Sequence, residues 1–130
     1  MRLRLLRSDD GREHTDILLH MPGKRRPNIA YLTVDLTEAS LSPTVQGRVP
    51  ASTQFDLADD EPLNMRILLD RCMLEVFVND RVVLMQMMYP TLADSDGVSI
   101  QALGGEMELT SAKFWQMGSI YESSNITEVL

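Results

Sequence analysis

The residues whose types could do chemistry are few, and their spacing decides how each one reads. Glu106 and Glu108 fall on one face of a strand pattern, and Asp70 lies near Glu75 along the chain. Two carboxyls about 5–5.5 Å apart are what a retaining glycosidase uses. Nothing around these acids marks a dry cleft that would raise one pKa and keep its proton on, so no catalytic residue is assigned. His14 and His20 share a strand face, but two histidines without a third ligand make a poor metal site and read as surface residues. Asp94-Ser95-Asp96-Gly97 opens like a calcium loop, yet the further oxygen ligands and the closing glutamate of that spacing are missing; it reads as a turn. The acidic run Asp59-Asp60-Glu61 and the basic run Lys24-Arg25-Arg26 read as solvated loops, with calcium for the first and an anion or sugar acid for the second as the alternatives. Cys72, the one cysteine, excludes an internal disulfide and a thiolate cluster. No metal and no cofactor is implied.

Two sets of residues keep a binding reading. Glu75 shares a strand face with Met73 and Phe77, so it is expected to be partly buried and to need a partner. Arg71 and Arg66 are near enough to supply an ion pair that locks the local strands; contact with another domain is the alternative. The chain has seven aromatic residues, three Tyr, three Phe and one Trp. Phe77 and Trp115 sit in alternating core patterns, and Phe55 in a short alternating segment with Leu57. Tyr31, Tyr89, Phe114 and Tyr121 remain as platforms on which a sugar could stack.

The elements that must position these residues centre on Leu63 to Pro90. Leu63, Met65, Ile67 and Leu69 alternate with Asn64, Arg66, Leu68 and Asp70, the period of a half-buried strand. Asp70-Arg71 makes a short turn. Leu74, Val76 and Val78 then face away from Met73, Glu75 and Phe77. Asn79-Asp80 suits a type I′ hairpin, because both residues tolerate positive φ. Arg81 to Tyr89 is apolar on both faces and is expected to be central and covered on both sides; Pro90 ends it. Earlier in the chain, Leu3 to Arg7, Glu13 to Met21 and Ile29 to Leu36 read as strands. Thr37 to Asp60 reads as a long excursion with one short strand about Phe55 and Leu57. Val98 to Leu103 and Glu106 to Met117 follow, joined by Gly104-Gly105, with Met107, Leu109, Trp115 and Met117 on one face. Many short strands between turn signals and no defensible helix predict an all-β, two-sheet antiparallel sandwich.

Bulk properties bound the class. A chain of 130 residues, 44% hydrophobic and 24% charged, suits one globular domain. Residues 1–117 are taken as the sandwich and 118–130 as a C-terminal tail. A net charge of −7 argues against nucleic acid or an anionic membrane as partner. No apolar run nears the ~20 residues of a membrane span, and Met1 to Arg7 is too short and charged for a signal core. These features favour a cytoplasmic location.

Asp70-Arg71, Glu75-Val76-Phe77-Val78-Asn79, Tyr89-Pro90, Gly97-Val98, Gly104-Gly105, Leu109-Thr110-Ser111 and Trp115-Gln116-Met117 resemble, in order and spacing, the C-terminal β-sandwich of glycoside hydrolase family 32. That family contains the invertases, levanases and inulinases. The resemblance implies a lectin- or glucanase-like jelly roll that is the non-catalytic part of its enzymes, with Ser40, Ser42 and Thr44 in the place of a serine-rich loop. The family's nucleophilic aspartate in a Trp-Met-Asn-Asp-Pro-Asn-Gly-type motif, its Arg-Asp-Pro motif and its Glu-Cys pair belong to a five-bladed propeller. None occurs here: Asn79-Asp80 is followed by Arg81, and Cys72 follows Arg71. The expected function is a module bracing a β-propeller glycosidase partner that cleaves fructan or sucrose; the alternative is a free-standing lectin-like carbohydrate-binding domain. The resemblance also implies a strand or two ahead of Leu3 that this sequence does not show. Met1 to Ser8 would then be an open edge, and a homo-oligomer formed through that edge or the tail is expected.

Overall fold

The computed structural model describes residues 1–118. It contains eight strands: β1 (Arg2–Arg7), β2 (Thr15–His20), β3 (Ile29–Asp35), β4 (Ala51–Asp56), β5 (Met65–Asp70), β6 (Met73–Val78), β7 (Val82–Met87) and β8 (Gly97–Gln101). They form two antiparallel sheets, a larger one in the order β4-β3-β2-β1-β8 and a smaller one in the order β5-β6-β7. Among the described residues there is no helix, hence none long and apolar enough to cross a membrane. The all-β, two-sheet expectation holds.

Alternation explains the layers. In the large sheet Leu5, Ile17, Leu19, Ala30, Leu32, Val34 and Phe55 point inward and are buried. In the small sheet Leu74, Val76 and Val78 close over them, with Met65, Ile67, Val82 and Leu84 packed at the margin. Each fully buried Leu, Ile or Val contributes roughly 1.5–3 kcal/mol relative to exposure, so this one shared core is what holds the sheets together. The outer face of the large sheet is polar and satisfies itself across strands. Arg4 donates to Asp16 at 2.7 and 2.9 Å, Arg2 to Gln101 at 2.6 Å, and the Thr33 and Ser52 hydroxyls meet at 2.6 Å.

The central meander forms as its pattern predicts, with Val78↔Val82 flanking the hairpin. Asn79 and Asp80 both take positive φ, 50° and 52°, the signature of the I′ turn. The preceding turn is shifted by one residue: β5 runs through Asp70, and Arg71-Cys72 link it to Met73, with Arg71 at φ 54°.

Three expectations are corrected. β7 is not central: among the described residues it is an edge strand beside β6. Its inward side meets the core, but Val83, Met85 and Met87 on the other side are 50%, 55% and 46% exposed. β1 is not an open edge, because β8 pairs with it on the side away from β2. Arg2↔Gln101, Leu3↔Ile100 and Arg4↔Ser99 are in register, so Met1 to Ser8 offers no free ladder for a second chain. Finally, residues 106–118 form no strand and lie exposed. Alternation makes a strand only where a neighbour completes the ladder, and the Gly104 turn leads into a segment with no such neighbour among the described residues. Trp115 is therefore surface, at 76% exposure, rather than core. Of the tail, residues 119–130 lie outside the described residues.

The β1–β8 pairing depends on a close approach at Gly97. A Cβ there would lie 2.8 Å from the Arg7 carbonyl oxygen, inside van der Waals contact with backbone that cannot swing away. Gly97→Ala is expected to cost about 1–3 kcal/mol, read as a lower urea midpoint with an unchanged slope; an unaltered midpoint would mean that β1 yields. A second expectation concerns Trp115, the single tryptophan. Its emission should lie close to that of tryptophan in water and be readily quenched by iodide. A blue-shifted, shielded emission would place it against the core after all.

Candidate functional site

Among the described residues the most heavily bonded side chain is Glu13, to which the sequence alone assigns no role. It sits at the turn between β1 and β2 with no surface exposed. Thr91 N–H reaches both its oxygens at 2.9 Å, Leu92 N–H donates to Oε1 at 2.9 Å and Ser95 Oγ to Oε1 at 2.6 Å. Thr91 Oγ1 donates to Oε2 at 2.7 Å and Leu41 N–H to Oε2 at 3.0 Å. Burial by itself pushes the Glu13 pKa up; the Ser95, Leu92 and Thr91 hydrogen bonds outweigh it and hold the carboxyl down at about 2. The loop from Thr91 to Ser95 is thus a clamp on a carboxylate. Parity was the available signal: Glu13 precedes Thr15, Ile17 and Leu19 on the inward face of the same run.

Beside this hub a cleft of about 30 Å³ is lined by His14, Asp16, Asp35, Thr37 and Glu38, room for about one water. His14 Nε2 is 4.0 Å from Asp16 and its Nδ1 is 3.0 Å from the Gly11 carbonyl oxygen. His20 is exposed at the far end of β2. No described group of three His, Cys, Asp or Glu side chains could hold a metal. The opposite end of the sandwich carries Arg81, which bridges Glu61 at 2.7 Å and donates to the Asp56 carbonyl oxygen at 2.6 Å.

Acid–base catalysis needs a carboxyl whose proton is kept near neutral pH. Among the described residues every carboxylate with a clearly displaced pKa is displaced downward. For Asp10 the cause is the Arg12 backbone and side-chain hydrogen bonds, which hold it at about 2. For Asp16, desolvation raises the value but the Arg4 hydrogen bond and charge lower it further. For Glu61 the Arg81 hydrogen bond leads. These carboxylates are held ionised and tethered.

The residues singled out for binding are dispersed. Tyr31 lies on the outer face of β3, its hydroxyl taking a 2.9 Å hydrogen bond from Arg26. Tyr89 is exposed just past β7, and Phe114 is exposed in the irregular segment. Tyr121 lies outside the described residues. Glu75 is half-buried on β6, as its pattern predicts, opposite Leu68 and Met85. The ion pair to Arg71 or Arg66 is not among those formed: the described bridges are Arg4–Asp16, Arg12–Asp10, His14–Asp16 and Arg81–Glu61. Arg66 faces Phe77 across the ladder, and Arg71 is exposed in the turn. Around Glu75 the register assembles an outer face of Leu68, Met73, Phe77, Val83, Met85 and Met87, with Arg66 and Asp70 at its β5 edge.

Comparison with known proteins decides the family. The family model described as "Glycosyl hydrolases family 32 C terminal" matches residues 1–116. The chain belongs to that family. Raffinose invertase of Escherichia coli is 43% identical over 63 residues, which is 48% of this chain and 13% of the relative. Fructan 1-exohydrolase IIa of Cichorium intybus, solved in complex with 1-kestose, superposes with a TM-score of 0.62 at 17% identity. That match covers 69% of this chain and 17% of the other; a second structure of the same exohydrolase gives 0.61. The family 32 C-terminal sandwich expected from the sequence is therefore the fold found, and this chain spans less than a fifth of the length of the relatives it matches.

The Glu13 hub carries a pH expectation. Its folded pKa of about 2 lies below the ordinary 4.5. A depressed folded pKa contributes stability in full above the unfolded value and loses it as the pH falls through the folded one. Glu13→Gln should cost about 2–4 kcal/mol at neutral pH, since an amide N–H₂ now faces donors. It should also flatten the fall of stability with pH between about 4.5 and about 2. Urea midpoints measured across that range test both, and a variant with the wild-type slope would remove Glu13 as the acid-sensitive group.

Proposed function

We propose that this chain acts as the non-catalytic C-terminal module of a fructosyl-bond-cleaving glycosidase, bracing a β-propeller catalytic partner. The observation that carries the reading is family membership over residues 1–116. The character of the carboxylates supports it: the displaced ones are fixed by hydrogen bonds in ionised form. The relatives' names, raffinose invertase and fructan exohydrolase, suggest sucrose-type oligosaccharides or fructans as what the partner cleaves. A free-standing sugar-binding role has less behind it, since Tyr31, Tyr89 and Phe114 lie on three separate elements and the cleft beside Glu13 holds no Tyr, Phe or Trp. Self-association through a sheet edge would use β4, β5, β7 or β8, the strands that end the two sheets among the described residues.

The purified chain alone is expected to release no fructose from sucrose, raffinose or inulin. Mixed with raffinose invertase lacking the segment this chain matches, it should raise that protein's thermal midpoint and its rate of raffinose cleavage. Fructose release by the chain alone, abolished by a carboxylate substitution, would overturn the non-catalytic reading. Absence of any effect on the truncated invertase would overturn the bracing role.

A further inference from the structure

The two outer faces of the sandwich differ in kind. That of the large sheet carries Arg2, Arg4, Asp16, Thr33, Ser52 and Gln101, tied to one another across strands. That of the small sheet is apolar over β6 and β7, with Val83, Met85, Met87 and Leu68 all exposed, and carries Arg66 and Asp70 only along its β5 margin. Contiguous exposed apolar side chains on one sheet face mark an interaction surface. At the middle of the face sits one carboxylate. Glu75 on the central strand is flanked by Leu68 on β5 and Met85 on β7, and it joins none of the described ion pairs. Residues 119–130 contain no Lys, Arg or His, so they hold no cation for it. Solvent reaches Glu75 now; a body laid over the apolar ring would strip that water away. An unpaired carboxylate under such a body is costly, whereas one met by a guanidinium is a charge-assisted pair with defined geometry.

We propose that the outer face of β5-β6-β7 is the docking face for the catalytic partner. The partner's matching surface is apolar and carries one basic side chain, an arginine by its fit to a carboxylate, that pairs with Glu75. This rests on the bracing role proposed above and names the face and the chemistry it requires. A second copy is the poorer occupant, because a two-fold axis through Glu75 sets it against its own copy and leaves Arg66, two positions beyond Leu68 on β5, off that axis. The remaining length of the relatives, more than four-fifths of each by the matched shares of 13% and 17%, is where such a surface would lie.

The test is calorimetric titration of the full 130-residue chain into raffinose invertase lacking the matched segment, with the truncated protein first shown to unfold cooperatively. Glu75→Ala should weaken binding about 30-fold, the range for leaving one buried charge unpaired, and the isosteric Glu75→Gln should weaken it comparably. Met85→Lys should abolish binding, whereas Gln54→Ala on the polar face should leave it unchanged. All four variants should keep the wild-type thermal midpoint, which separates lost docking from lost folding. Wild-type binding that survives Glu75→Ala and Met85→Lys overturns this inference and leaves the bracing role standing. No binding by the wild type overturns both. Two further results also overturn the docking assignment. One is a chain that sediments as a dimer until Met85→Lys makes it monomeric. The other is coupling of Glu75 to Lys113 in the free chain's stability, which would mean that the exposed segment covers the face itself.

Discussion

A single buried carboxylate fixes how the loops of this sandwich meet. Glu13 stands where β1 turns into β2, yet its partners come from the loop after β3 and the loop after β7, as far as 82 positions along the chain. Desolvating a carboxylate without a counter-ion costs several kcal/mol. Here five donors from Leu41, Thr91, Leu92 and Ser95 supply the compensation as oriented dipoles. Such a site works only if every donor is in place together. The crossover from the small sheet to β8 is thereby held against the large one. The neighbouring Ser8 follows the same logic: buried, its hydroxyl accepts from the Glu13 N–H at 3.1 Å and donates to Asp10 at 2.8 Å.

What the sequence disclosed was whatever depends on near neighbours. Alternation located the inward sides of β2, β3, β5 and β6, and the Asn79-Asp80 pair named its own turn through the φ values it tolerates. Glu13 could not be assigned a role by that means, because its donors are known only once β7 and β8 are placed. Parity said that it pointed inward, but not what would meet it there. Residues 106–117 are the converse. Their pattern suits a strand, but a strand is a relation to a partner, and the described sheets leave that segment without one. Leu6, at φ 47° in the irregular stretch of β1 between Arg4 and Arg7, carries no local mark at all; it sits where the register of β1 against β8 shifts.

β7 is less covered than its pattern implies, for a physical reason. An apolar run on both faces normally reports cover on both faces, and only one cover is found among the described residues. The inference from pattern to burial is sound only if everything that does the burying is in view. This chain matches less than a fifth of its longer relatives, and that proportion removes the premise. On the docking proposed above, Val83, Met85 and Met87 are the side chains the partner would cover.

Glu13 and Glu75 show why the two carboxylates belong to different levels of organisation. Glu13 is met wholly by neutral donors of its own chain, so it is complete as soon as the sandwich folds, and its removal damages the fold. Glu75 lies on the outward side of β6, where Leu74, Val76 and Val78 already anchor the strand to the core. Folding places few demands on it, and its neighbours Met73, Phe77 and Met85 remain accessible in part. A side chain that stability does not require is free to set specificity. A carboxylate on an apolar face rejects any apolar surface that lacks a cation, and by the same desolvation cost it discourages the face from closing on itself.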